Sequence, residues 1–181
     1  RNDGLIYKFV PKNPNSLEEG ELFALKVKGL KDARNLDRSI AELNATHKID
    51  WVKIEDYDPD EDTVRYEGIS KGATVFARPE GIISDNESVY ICCTNGGSLR
   101  KGQIFKISTI SPEQSLAELW YEVQDNSSLN MPDNIVIAPW GDIIVCEDNS
   151  DRNRLWGLTA SGTPYLICLL YTSPSPRDPH L

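Results

Sequence analysis

Two stretches of this chain, residues 78–97 and 131–150, repeat one pattern, and this repeat constrains the fold more than any other feature. Each copy has a proline and an acid, two short apolar runs separated by a turn, a cysteine and a polar loop. A shift of 53 positions aligns the copies without a gap, and the matched pairs include Pro79 and Pro132, Glu80 and Asp133, and Cys93 and Cys146. The repeat predicts a fold assembled from copies of one small sheet.

A further strand follows each copy, at 102–107 and 154–158, and a similar strand occurs at 4–9. Short strands that recur every 40 to 55 residues or so are typical of β-propeller blades. We therefore predict an all-β fold, a fragment of about two to three blades of a β-propeller. The first strand of each blade lines the central channel, so Glu80 and Asp133 are expected to face a shared centre where a cation could bind.

Outside the repeat, apolar residues at helical spacing (Leu36, Ile40 and Leu43) predict one short surface helix at 33–45. An acid-rich segment follows it, with carboxylates at the spacing of a calcium loop: Asp56, Asp58, Asp60 and Glu67. The sixth loop position, which requires glycine, is a glutamate here, and no flanking helices are predicted. A solvated acidic loop is therefore the preferred interpretation.

The composition excludes several classes of function. The chain has 19 Lys and Arg against 28 Asp and Glu, a net charge of −9, and no basic cluster that would favour nucleic acid. No apolar run is long enough for a transmembrane segment or a signal peptide. His47 is the single histidine before residue 168, which argues against HExxH zinc sites and Ser-His-Asp hydrolysis. The cysteines lack the spacing of a disulfide framework, and Cys93 and Cys146 are predicted to be small buried hydrophobes.

The last 14 residues, 168–181, resemble the translation of a sequencing adapter, with three prolines and no periodicity. We therefore predict a partial β-propeller domain at 1–167 and a disordered, adapter-derived tail at 168–181. The chain begins with Arg1, and we expect it to be an internal fragment of a longer protein.

Arg78 and Glu80 are the sharpest candidates for chemistry. They stand two residues apart, so in an extended segment they point the same way. Arginine offers a planar fork for phosphate or carboxylate oxygens, and glutamate is a hard oxygen ligand. The alternative is an exposed ion pair beside a turn.

Three acids in the second copy are candidate metal ligands. Asp133 could bind a cation beside Asn134, or the two could form an Asx-type turn before a strand. Glu147 and Asp148 could ligate calcium, and a solvated or turn-stabilising role is the alternative. The predicted metal-binding set is Glu80, Asp133 and Glu147.

With these residues in view, the chain resembles the PhoX-type alkaline phosphatases. The motifs that carry the resemblance occur in order at 4–11, 72–80, 93–104 and 132–148. The resemblance implies a propeller of about six blades around a calcium and iron (Ca²⁺, Fe³⁺) centre that hydrolyses phosphomonoesters to release phosphate. It also implies export to the periplasm or cell surface and, for the full-length form, a monomer.

Carried over residue by residue, the resemblance makes Glu80 a metal ligand, Arg78 the catalytic, phosphate-binding cation and Asp133 a calcium ligand. Neither Cys93 nor Cys146 matches the family's iron-binding cysteine motif, so the metal centre is expected to be incomplete and the fragment inactive. Two alternatives stay open, a calcium-dependent lactonase or esterase propeller and a non-catalytic binding propeller.

Overall fold

The structure, a computed structural model, describes residues 2–37, 40–111, 113–125, 127–150 and 152–170. Within these ranges the chain forms eleven strands and one short helix, which confirms the predicted all-β fold. In chain order the elements are β1 Tyr7–Asn13, β2 Ser16–Val27, β3 Thr46–Ile54, α1 Val64–Ser70, β4 Pro79–Ser84, β5 Ser88–Cys93, β6 Gln103–Ser111, β7 Gln114–Glu122, β8 Pro132–Ile137, β9 Ile143–Glu147, β10 Asn153–Leu158 and β11 Pro164–Leu170.

The two sequence repeats form two four-stranded antiparallel units. Strands β4, β5, β6 and β7 pair in chain order and make the first blade, and β8 to β11 pair in the same way and make the second blade. A preceding meander, β1 to β3, joins the first blade because β3 pairs with β7. This arrangement confirms the prediction of a partial propeller of two to three blades.

The first blade is apolar on both faces because it packs between two neighbours. Along β5, Ile91 and Cys93 belong to a core shared with β1 to β3, and Cys92 belongs to the core shared with the second blade. In the former core the rings of Phe76 and Phe105 meet edge to face, with centroids 5.0 Å apart. Burial on both faces explains why the β5 sequence is apolar without alternation.

The inner strands of the two blades approach each other closely at Gly81. A Cβ atom on this glycine would lie 2.2 Å from the carbonyl oxygen of Asp133 on β8, which no side chain can tolerate. Because Gly81 has no side chain, the start of β8 can lie directly against β4, close to Glu80.

The structure corrects the gap-free alignment of the two repeats. Pro79 pairs with Cys93 in the first blade, but Pro132 pairs with Glu147 in the second. The β8–β9 hairpin therefore contains one more residue than the β4–β5 hairpin, and Glu147, not Cys146, is the counterpart of Cys93. The prediction that Cys93 and Cys146 are both buried was wrong for Cys146, which is exposed.

The predicted helix at 33–45 is also wrong, since none of its described residues is helical. Asn35 lies in the left-handed region, at φ 53°. Its side-chain oxygen accepts hydrogen bonds from the N–H groups of Ile40 and Ala41, both at 2.9 Å. This side chain replaces the carbonyl partners that a helix would supply, and the helix that does form is α1.

The acidic segment does not form a calcium loop. Glu67 lies on α1, and its carboxylate accepts hydrogen bonds from the N–H groups of Glu55 at 2.8 Å and Asp56 at 3.3 Å. Lys71 also contacts it at 2.6 Å. Glu67 therefore closes the loop before α1, in agreement with the interpretation as a solvated acidic loop.

Strand β11 continues through the predicted domain boundary, since Cys168 pairs with Leu155 and Leu170 pairs with Asn153. The rest of the predicted tail, 171–181, lies outside the described residues. All four cysteines are free. No helix among the described residues is long and apolar enough to cross a membrane.

Candidate functional site

The inner strands of both blades begin with the same unusual backbone geometry. Arg78, just before β4, has φ 51°, and Met131, its counterpart before β8, has φ 49°. Residues other than glycine seldom adopt this left-handed conformation. Each carbonyl accepts a hydrogen bond at 3.0 Å from the residue that follows the neighbouring strand, Thr94 for Arg78 and Asp148 for Met131. Each blade thus starts its inner strand from a fixed turn.

This turn directs the Arg78 guanidinium between acids of the two blades. Nε donates to Oε1 of Glu80 at 2.8 Å, and Nη2 donates to Oδ2 of Asp148 at 2.8 Å. The pKa of Arg78 is raised above its usual value, mainly by the hydrogen bond to Asp148; burial opposes this, and the hydrogen bond to Glu80 raises the pKa further. Arg78 therefore stays charged at alkaline pH and links the two blades.

Asp133 completes the cluster from the start of β8. Burial is the main cause that raises its pKa, and the charges of Glu80 and Asp148 raise it further, while Arg78 lowers it. We call Arg78, Glu80, Asp133 and Asp148 the inner-strand cluster. When all four are ionised, three carboxylates face one guanidinium, which leaves two negative charges. Such a site favours an additional cation.

The raised pKa of Asp133 gives a first prediction, an effect on stability that depends on pH. The pKa of Asp133 is higher in the folded chain than in the unfolded chain. At any pH below the unfolded pKa, the carboxyl is protonated in both states and the folded chain has its full stability. The part of the stability that depends on this proton is lost as the pH rises through the folded value. The variant Asp133→Asn mimics the neutral form, so without metal we expect a higher melting temperature than wild type at pH 7 and no difference at about pH 3.5.

Thermal unfolding followed by circular dichroism in EDTA measures this effect. Asp85→Asn is the matched control with the opposite sign, because hydrogen bonds from the N–H groups of Glu87 and then Ser88 lower the pKa of Asp85. That variant should lose stability at pH 7. Equal melting temperatures for wild type and Asp133→Asn at pH 7 would contradict the electrostatic description of the cluster.

Glu147 lies in a different environment from the inner-strand cluster. Its side chain is fully buried, and each oxygen accepts hydrogen bonds from within the second blade. The donors are the main-chain N–H of Asn130, the main chain and guanidinium of Arg154, and the indole of Trp156, all at 2.8–3.1 Å. Metal ligation by Glu147 stays a prediction, and these contacts give the carboxylate a complete set of protein partners.

The carboxylates of the cluster suit a hard cation such as calcium. Carboxylate oxygens are the preferred ligands of calcium, and Glu80, Asp133 and Asp148 supply them. The described residues contain no group of three histidine, cysteine or acidic side chains arranged to hold a metal ion, so a complete site would need further ligands. Burial raises the pKa of the Cys92 and Cys93 thiols well above the usual value, which disfavours either thiol as a thiolate ligand of a metal.

Among the predicted site residues, Arg78 and Glu80 form an ion pair, and Asp133 is close enough for both charges to affect its pKa. Asp148 rather than Glu147 joins them, because the extra hairpin residue changes which side chain reaches the cluster. Asn134 does not join: its side-chain oxygen accepts the N–H of Ile135 at 2.9 Å. Asn134 therefore lies within β8, at the register shift between Pro132 and Ile135, and not in an Asx-type turn before the strand.

Comparison with known protein families identifies the family of this chain. The sequence matches the family described as alkaline phosphatase PhoX over residues 1–173. The chain belongs to the PhoX alkaline phosphatase family. The motifs that suggested this resemblance include the residues of the inner-strand cluster, so the family match and the geometry concern the same part of the chain.

A solved structure shows the same fold. The chain superimposes on Pseudomonas fluorescens PhoX, determined in complex with the transition-state analogue vanadate, with a TM-score of 0.62 and 16% sequence identity. The match covers 91% of this chain and 40% of that PhoX chain. This chain therefore spans less than half of a PhoX protein. A search of curated protein sequences found no match.

Proposed function

We propose that this chain is part of a phosphomonoester hydrolase, in which Arg78 binds the phosphoryl group and Glu80 and Asp133 contribute calcium ligands. The observation that carries the proposal is the position of the Arg78 guanidinium, held by an acid from each of two neighbouring blades beside a third carboxylate. Membership of the PhoX family supports the same reaction. A lactonase or a binding propeller does not require an arginine at this position.

Arg78 is suited to a phosphoryl group by its remaining donors. A guanidinium carries five N–H groups, and the two hydrogen bonds to Glu80 and Asp148 use two of them. The other three can donate to phosphoryl oxygens in a fork geometry, and the raised pKa keeps them available at alkaline pH. Because both acids restrain the side chain, little conformational entropy is lost on binding.

Calcium bound by Glu80 and Asp133 would add positive charge against the phosphoryl oxygens. Asp148 is placed to hold the Arg78 guanidinium. The negative charge of Asp133 would balance part of the calcium charge. The buried Cys92 and Cys93 thiols are poor metal ligands, so we assign no step to iron here. The iron of the family's mixed centre would need ligands other than these thiols.

The wider assignment follows from the family and stays part of the proposal. The substrate class is phosphomonoesters with phosphate as product, the location is the periplasm or the extracellular space, and the full-length protein acts as a monomer. The inner-strand cluster is partly open to solvent, with the side chains of Glu80 and Asp148 39% and 45% exposed. We therefore do not restrict the alcohol half of the substrate.

A second prediction tests the incomplete metal centre. The purified 181-residue chain should not hydrolyse p-nitrophenyl phosphate, with or without added calcium and iron, because the described residues supply only part of the centre. Calcium should nevertheless raise its melting temperature by binding the carboxylates. The calcium effect should be lost in a Glu80→Gln, Asp133→Asn double variant.

Two controls make this result interpretable. Glu87→Gln and Asp85→Asn remove exposed acids elsewhere on the first blade and should leave the calcium effect unchanged. Sustained turnover by the isolated chain would contradict the incomplete centre. A calcium effect that survives in the double variant would remove Glu80 and Asp133 from the proposed site.

A further inference from the structure

Asp148 reaches Arg78 from a segment of the second blade that three asparagines hold in place. The N–H of Asn149, the residue after Asp148, donates to Oδ1 of Asn153 at 2.7 Å. The side-chain Nδ2 of Asn149 donates to Oδ1 of Asn130 at 2.9 Å. We call Asn130, Asn149 and Asn153 the amide network. It ties the residue after Asp148 to the start of β10 and to the segment before β8.

Asn130 contacts both sequence neighbours of Asp148. Its side-chain oxygen accepts the amide of Asn149, and its main-chain N–H donates to the carboxylate of Glu147 at 2.9 Å. The Glu147 side chain is fully buried, and Asn130 is buried as well. The N–H of Asp148 itself donates to the carbonyl oxygen of Met131, the residue after Asn130, at 3.0 Å. The main chain is therefore held at Asp148 and on both sides of it.

The first blade does not repeat the amide network. The positions of Asn130 and Asn153 are occupied there by Ala77 and Gly102, which have no polar side chain. Thr94 takes the position of the acid, and its buried hydroxyl has no hydrogen-bond partner among the described residues. The blade architecture therefore does not require the network, which occurs in the blade that supplies an acid to Arg78.

We propose that the amide network positions Asp148, so that its carboxylate holds the Arg78 guanidinium in the orientation that binds the phosphoryl group. This role rests on the proposed function of Arg78. The Asp148 side chain is 45% exposed, and an ion pair between exposed, mobile side chains contributes little. A main chain that is already fixed reduces the entropy lost when the pair forms. The three asparagines act through Asp148, and they are positioning residues.

Two alanine variants test this role in a complete PhoX enzyme that carries this segment. Asn153→Ala removes the acceptor of the Asn149 N–H, and Asn130→Ala removes the acceptor of the Asn149 side chain. Either variant should weaken competitive inhibition by inorganic phosphate about 10-fold and lower kcat/KM for p-nitrophenyl phosphate by a similar factor. Asn153→Asp keeps an oxygen at the same place and should retain both values. Partial unfolding lowers the amount of active enzyme without changing the phosphate inhibition constant, so this constant separates positioning from stability.

A double variant shows whether the network acts through Asp148. Asp148→Ala should itself weaken phosphate inhibition, and adding Asn153→Ala should cause no further loss, because residues of one network do not act additively. Asn86→Ala is the matched control, since Asn86 is exposed in the turn between β4 and β5, at the other end of β4 from Arg78. It should leave phosphate inhibition unchanged. Circular dichroism shows whether each variant keeps its fold.

The outcomes separate the positioning role from the proposed function. If Arg78→Ala and Asp148→Ala both leave phosphate inhibition unchanged, the proposed role of Arg78 fails, and the positioning role fails with it. If Asp148→Ala weakens inhibition but either alanine variant of the amide network does not, the positioning role alone is overturned. A loss in Asn153→Asp equal to that in Asn153→Ala, or a loss that adds to that of Asp148→Ala, would overturn it in the same way.

Discussion

Arg78→Ala is expected to reduce phosphatase turnover by about 10²- to 10³-fold in a complete PhoX enzyme that carries this segment. The alanine removes the fork that binds the phosphoryl group and leaves three carboxylates of the inner-strand cluster without their guanidinium. The melting temperature should fall by only a few degrees, because the Arg78 side chain belongs to no apolar core and both acids that it contacts are partly exposed to solvent. Steady-state kinetics and thermal unfolding of the same preparations give both quantities.

Two further variants isolate the role of the guanidinium. Arg100→Ala is the matched control, because Arg100 also has a left-handed backbone, at φ 56°, and its contact with Asp37 at 3.5 Å is exposed. It should retain activity. Arg78→Lys keeps the charge without the fork and should recover only a small part of the turnover. A large loss of folded protein in Arg78→Ala, in parallel with activity, would indicate a structural role instead.

Glu147→Ala is expected to destabilise the chain by about 3–5 kcal/mol, because it leaves Arg154 and the Trp156 indole without a buried partner. Domains of this size are stable by only about 5–15 kcal/mol. The variant should therefore unfold at much lower urea concentration, and the loss should be the same with calcium or EDTA. Equilibrium urea denaturation in both conditions measures it.

Comparison variants separate burial from metal binding. Glu87→Ala removes an exposed acid from a turn of the first blade and should change stability by less than about 0.5 kcal/mol. Adding Arg154→Leu to Glu147→Leu should restore part of the lost stability, since the Arg154 charge is then no longer left without its carboxylate, although the Asn130 N–H and the Trp156 indole still lack an acceptor. If the loss in Glu147→Ala appeared only in the presence of calcium, Glu147 would be a metal ligand after all.

The fold was predictable from the sequence because the blades repeat their chemistry. The proline and acid that open each copy mark an inner strand, so Glu80 and Asp133 could be placed side by side before any coordinates. The sequence shows Gly81 as part of the motif but does not show that this glycine allows β4 and β8 to approach each other. Its reason is steric and requires the position of the neighbouring blade.

The helix prediction failed because spacing alone does not show which hydrogen bonds compete with a helix. Asn35 binds the main chain of residues 40 and 41 through its side chain, and a second bond joins its amide to the buried carboxylate of Glu122 at 2.8 Å. The contact with Glu122 spans 87 residues of sequence. Tertiary structure therefore overrides the local pattern at 33–45.

The role of Asp148 could not be read from an ungapped repeat for a similar reason. One additional residue in the β8–β9 hairpin moves Glu147 into the position of Cys93, inside the blade, and places Asp148 beside Arg78. An alignment that scores residue identity prefers the cysteine match. Only the strand register shows that Asp148, and not Glu147, occupies the position next to Arg78.

The paired backbone conformations at Arg78 and Met131 bear on how such a site could arise. Met131 has the same left-handed geometry as Arg78 but an apolar side chain, so the strained turn belongs to the blade architecture and not to the chemistry. Every blade built on this plan would then hold one side chain in this left-handed position just before its inner strand. Because Met131 and Arg78 share this geometry, a change of one side chain at this position can give a blade a guanidinium without any change in the main chain.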